Sequence, residues 1–182
     1  MKFGIITILL AIILALISCL PAMAQTSGNI TITMTGAKEF SINLTPANWS
    51  FGNVSPDMTY ETDPTQFTLT VDPTSNCNVN TFITGEDAVC VYDSTYVWTL
   101  SSNGNDVGVY ALWFRGSDMG DYIQITKNET AFYSGISPGP EDAKQFRLKL
   151  LTPWPDFGSN PGYFSVGNAI MQTHVTISAV AA

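Results

Sequence analysis

Phe67-Thr68-Leu69-Thr70-Val71 is the stretch on which the fold turns. Apolar side chains alternate with threonine at a period of two, which puts Phe67, Leu69 and Val71 on one face of an extended strand and both threonines on the other. β-Branched and aromatic residues suit that pleated, half-buried surface. The same alternation recurs in Ile30-Thr31-Ile32-Thr33-Met34-Thr35, Phe146-Arg147-Leu148-Lys149-Leu150 and Val175-Thr176-Ile177-Ser178-Ala179. Further strands are expected over residues 40–44, 49–51, 79–83, 96–100, 109–114 and 122–126, and beyond residue 24 no window keeps a 3.6-residue apolar stripe.

Between these runs stand turn formers: Thr35-Gly36, Ser55-Pro56-Asp57, Asp63-Pro64, Asp72-Pro73, Asn103-Gly104-Asn105-Asp106, Ser117-Asp118, Ser137-Pro138-Gly139-Pro140 and Ser159-Asn160-Pro161-Gly162. Short strands so punctuated, with no helical crossover, predict an all-β chain. The expected form is an antiparallel two-sheet β-sandwich, immunoglobulin-like or jelly-roll, with a closed barrel as the alternative. Trp98, central in Tyr96-Val97-Trp98-Thr99-Leu100, reads as a core residue.

The chain has 182 residues, 45% hydrophobic, 12% aromatic and 12% charged. It can bury a core, and nothing divides residues 25–182 into more than one domain. Seven basic residues against fifteen acidic give a net charge of −8, so the phosphate neutralisation that drives nucleic-acid binding has no source and no nucleic-acid partner is expected.

Residues 1–24 carry Lys2, an apolar run from Ile5 to Leu20 and the small-x-small pattern Ala22-Met23-Ala24. This predicts a cleaved secretory signal peptide, an extracellular or cell-surface location and no permanent membrane span. Two alternatives stay open: a membrane helix, and a lipobox in Leu16-Ile17-Ser18-Cys19. In an oxidising compartment Cys77 and Cys90 are expected to form one disulfide, closing a loop worth about 3 kcal/mol. Five Asn-x-Ser/Thr sequons, at Asn29, Asn43, Asn48, Asn53 and Asn128, are candidate N-glycosylation sites.

Catalysis is poorly supplied. His174 is the single histidine, and its parity with Gln172, Thr176 and Ser178 puts it on a polar strand face. A serine nucleophile needs a base and an orienting group, and no Gly-x-Ser-x-Gly elbow exists. A two-carboxylate glycosidase would need only acids, but no pair of the fifteen stands out. No cofactor is expected. Loops 103–106, 116–121 and 85–87 are candidate structural calcium sites, although none is an EF-hand. Trp154, set between Pro153 and Pro155, is a candidate glycan contact with Tyr163, if its loop does not bury the ring.

The chain ends carry the functional expectation. Residues 28–35 form an alternating run set off by Gly36, without charge or proline, the features that normally protect an edge strand. Such a segment pairs either with its own sheet or with a neighbour's open edge, its Ile30, Ile32 and Met34 filling alternate pockets.

The stretch Ile42-Asn43-Leu44-Thr45-Pro46-Ala47-Asn48-Trp49-Ser50-Phe51-Gly52-Asn53-Val54, with Phe67 to Val71, Trp98-Thr99-Leu100 and the terminal Val175 to Ala179, resembles secreted surface β-sandwich proteins of archaea and some bacteria. It is also loosely similar to camelysin and TasA-type filament subunits and to archaeal bundling pilins. The resemblance implies an extracellular structural subunit, a homopolymer built by strand donation in a filament, biofilm matrix or envelope layer. No functional residue of those families maps onto this chain.

Overall fold

The computed structural model describes residues 33–155 and 170–182. The chain divides into a unit Met1–Gly36 and a unit Ala37–Ala182, and every strand below belongs to the second. Of the expected strand at residues 30–35, only residues 33–35 are described, and they lie in no strand. The signal peptide falls outside the described residues.

Among the described residues the secondary structure is entirely strand, with no helix. In chain order the strands are β1 (Ile42–Thr45), β2 (Thr59–Glu61), β3 (Phe67–Val71), β4 (Val79–Gly85), β5 (Ala88–Cys90), β6 (Val97–Leu100), β7 (Val109–Gly116), β8 (Ile123–Ile125), β9 (Thr130–Ala131), β10 (Gly139–Leu151), β11 (Met171–Gln172) and β12 (Val175–Ala181). A large curled sheet runs β1-β3-β10-β7-β6-β5-β11, with β2 beside β10 and β8 beside β7. A small sheet has the order β12-β4-β9.

The curl has a local cause in β10, whose pairing with β3 slips between Gly139 and Lys144. A bulge bends its strand and sharpens the right-handed twist. Gly139 takes the left-handed region there (φ 104°), and Pro140 is tolerated where the regular ladder is interrupted. The expected turn at residues 137–140 is thus partly the opening of a long strand.

Two expectations need correction. The sheet is not wholly antiparallel: β6 and β7 pair parallel, Thr99 beside Val109 and Leu100 beside Tyr110. The loop between them folds back so that the Thr99 and Ser101 amides donate to the Gly108 and Tyr110 carbonyls, at 2.8 and 2.9 Å. Residues 49–51 form no strand, and Trp49 instead leans edge-on against Phe67, ring centroids 6.2 Å apart.

Alternation builds the core as expected. Phe67, Leu69 and Val71 are buried beside Val79 and Ile83 of β4 and Tyr110, Leu112 and Phe114 of β7. Phe146 stacks on Phe67 at 5.1 Å and meets Phe132 edge-on at 4.9 Å, and Phe132 in turn meets Phe114 edge-on at 4.9 Å. Trp98 is in this core. Gly85 lets the chain leave the small sheet for β5, because a Cβ there would come within 2.8 Å of Leu100 Cδ2 and 3.0 Å of Ile125 Cγ2.

Candidate functional site

The site follows from which way β12 turns its main chain. On one side of β4, Val79 and Ile136 exchange two amide-to-carbonyl bonds at 3.0 and 2.9 Å, and the Thr81 amide donates to the Tyr133 carbonyl at 2.7 Å. In an antiparallel ladder alternate residues face opposite neighbours, so Asn80, Phe82 and Thr84 turn toward β12. The Ala182 amide, donating to the Asn78 carbonyl at 2.9 Å, fits the same phase. Across the register, Thr176, Ser178 and Val180 face back to β4. The amides and carbonyls of Val175, Ile177, Ala179 and Ala181 therefore point away from it, along an edge with no partner strand among the described residues.

That edge is seven residues long and carries neither charge nor proline. The other edges are shorter: β1 has four residues and is followed by Pro46, β2 and β8 have three each, and β9 and β11 two each. An unprotected edge of this kind is a template for another strand. Inner-face Val175, Ile177 and Ala179 of β12, and Ile42 and Leu44 of β1, are only partly buried against the core. Apolar surface is left uncovered along both edges. Just past the end of β12, Lys38 Nζ donates to the Ala182 carbonyl at 2.7 Å, and Asn76 Nδ2 donates to the Ala37 carbonyl at 2.9 Å.

Of the residues assigned to that segment, Ile30 and Ile32 lie outside the described residues and Met34 is in no strand. Cys77 and Cys90 are free thiols, which overturns the expected disulfide. The physical reason is the crossing at Gly85: β4 and β5 do not pair as a hairpin but enter different sheets, so the cysteines at their far ends are not brought face to face. Asn43, Asn48, Asn53 and Asn128 are all exposed, while Asn29 lies outside the described residues. Trp154 is 47% exposed and held by its amide, which donates to the Asp106 carbonyl at 3.1 Å. Its proposed companion Tyr163 is not among the described residues. His174 is exposed, with Nε2 3.8 Å from Glu86 Oε1.

For calcium, no group of three His, Cys, Asp or Glu side chains gathers among the described residues. Several carboxylates are already engaged in their own turns. Three Asp-x-Thr turns repeat one geometry, the aspartate Oδ1 accepting from the threonine amide and hydroxyl: Asp63 with Thr65 (3.1 and 3.2 Å), Asp72 with Thr74 (2.8 and 2.6 Å) and Asp93 with Thr95 (3.0 and 2.7 Å). Hydroxyl and then amide donation hold Asp72 and Asp93 below the ordinary carboxylate range. This repeat was open to view in the sequence. In the proposed calcium loops, Asp106 Oδ1 accepts from the Val107 amide at 2.7 Å, and Asp87 from the Leu100 amide at 2.8 Å and from Lys127.

Among the described residues no helix is long and apolar enough to cross a membrane. Compared with protein-family models and with curated proteins, the chain matches none.

Proposed function

We propose that the protein is a secreted, cell-surface structural subunit, not an enzyme, that assembles with copies of itself into a filament, biofilm matrix or envelope layer. In this reading residues 1–24 are a signal peptide, and residues 25–182 form an immunoglobulin-like or jelly-roll sandwich that lacks one strand. Residues 26–35 of one copy supply it to the next. The observation that supports this is the outward-facing main chain of Val175, Ile177, Ala179 and Ala181 beside partly covered core side chains. Strand addition draws affinity from such main-chain groups and specificity from alternate side chains, here Ile30, Ile32 and Met34. Chain-to-chain pairing also needs no ligand, cofactor or catalytic group.

Deleting residues 28–35 tests it. Negative-stain microscopy should show polymers for the full chain and none for the deletion variant, while circular dichroism reports the same strand content in both. Unchanged polymers in the variant would remove the hypothesis.

A second reading, a glycan-binding or adhesion module, is favoured by the exposed Trp154 ring. Trp154→Ala should then lose binding on a glycan array with an unchanged melting temperature.

A further inference from the structure

The protein has only two arginines, and the fold sets them opposite each other. Arg115 of β7 and Arg147 of β10 are direct cross-strand partners. On the same outer face of the large sheet, the registers align Gln124 of β8, Trp113 of β7, Lys149 of β10 and Glu61 of β2 in one row. Tyr122, just before β8, reaches over these side chains: Lys149 Nζ is 4.3 Å from its ring centroid and 4.5 Å from that of Trp113, and the Arg115 and Arg147 guanidinium carbons are 5.6 and 6.0 Å from Tyr122. Three of the seven basic residues of a chain of net charge −8 thus converge on two aromatic rings.

Like charges directly opposite on a sheet destabilise it unless something compensates. Within the described residues the compensation is incomplete. Glu61 Oε2 lies 3.8 Å from Arg147 Nη1, and no carboxylate forms an ion pair with Arg115 or Lys149. Cation–π contact accounts for Lys149, which lies against both rings. It does not account for Arg115 Nε, which is buried without a hydrogen-bond partner, whereas the Tyr122 hydroxyl has the Glu61 carboxylate beside it. Buried donors of that kind call for an acceptor.

Cross-strand neighbours stand about 5 Å apart, a spacing at which two guanidinium forks can close on one carboxylate. The half-buried Tyr122 and Trp113 rings alongside offer apolar surface to the carbon skeleton that carries it. A six-membered sugar ring with a carboxylate at its corner has both features. We propose that this face of the sheet binds a uronic-acid residue of an acidic glycan, with Arg115 and Arg147 taking the carboxylate and Tyr122 and Trp113 the ring. The site is separate from the β12 edge and from Trp154, and does not depend on self-assembly.

The test is calorimetric titration of the full chain with trigalacturonate, with maltotriose as the uncharged ring and sodium sulfate as the ringless oxyanion. Trigalacturonate should bind in the millimolar range or tighter, and both controls should bind at least about tenfold more weakly. Arg115→Gln and Arg147→Gln should each weaken trigalacturonate binding about tenfold or more, and Arg115→Lys, which keeps the charge and loses the fork, should fall between. Trp154→Ala should leave it unchanged. Arg115→Gln should melt no lower than the parent, because it relieves a like-charge pair. No heat with trigalacturonate, equal binding of maltotriose or sulfate, or affinity indifferent to both arginines would overturn the proposal. A lower melting temperature in Arg115→Gln with binding intact would make the pair scaffold and overturn it as well.

Discussion

Proline at one position of β12 should weaken assembly and spare the fold, while proline one residue earlier should lower the stability of the fold itself. The Ala179 amide points to the open edge, so Ala179→Pro removes a donor that water satisfies in the free subunit and keeps the β4 ladder whole. In the polymer the same change costs one hydrogen bond, leaves the incoming carbonyl unsatisfied for about 1–3 kcal/mol, and puts the proline ring in the path of the added strand. Each 1.4 kcal/mol is tenfold in affinity, so the concentration needed for polymerisation should rise by about ten- to a hundredfold or more. Ser178 faces β4 instead. Ser178→Pro would orphan the Phe82 carbonyl, and about 2 kcal/mol of lost stability corresponds to a fall of about 4–8 °C in melting temperature for a chain of this size. Sedimentation velocity over a concentration series and thermal melts by circular dichroism read both effects. Polymerisation of Ala179→Pro at the parental concentration, or a melting temperature as low as that of Ser178→Pro, would contradict an outward-facing Ala179 amide.

Alkylation of unfolded, unreduced protein followed by mass spectrometry should modify both Cys77 and Cys90, and reductant should leave the melting temperature unchanged; a protected pair would restore the disulfide. Gly116→Ala should destabilise by about 1–3 kcal/mol, because the new Cβ runs into the Tyr133 hydroxyl, itself bonded to the Gln145 carbonyl at 3.0 Å. A melting temperature equal to the parent's would contradict that packing. Partial burial raises the pKa of Asp87, but hydrogen bonds from Lys127 and the Leu100 amide, with the Lys127 charge, outweigh it and leave it lowered. Its contribution to stability is therefore full above the ordinary carboxylate value of 3.8 and fades as pH falls through the lower folded value. Asp87→Asn should be less stable than the parent at neutral pH and close the gap in acid, and equal pH dependence in the two proteins would count against the assignment.

What could be read from the sequence was local. Alternation in Phe67 to Val71 marks β3 without reference to any neighbour, and Val175 to Ala179 marks most of β12 in the same way. Ala88–Cys90 and Thr130–Ala131 are too short to show a period. The first half of β10 carries Pro140, Glu141 and Asp142 and looks like a turn until its bulge is known. The features that bear on function depend on pairing between distant segments. That Ala179 turns its amide outward follows from which side of β12 meets β4, and that Arg115 faces Arg147 follows from the register of β7 on β10. Neither leaves a trace in either strand alone. Cys77 and Cys90 misled for the same reason, since nearness in sequence stood in for nearness across a sheet.

A sheet left one strand short and completed by a second copy would build a polymer with no closing partner. Negative-stain microscopy of the purified secreted chain, with sedimentation velocity on the same sample, tests it most directly. Head-to-tail threads that lengthen with concentration are the predicted result. A single monomeric species at every concentration, with no threads in the images, would contradict it.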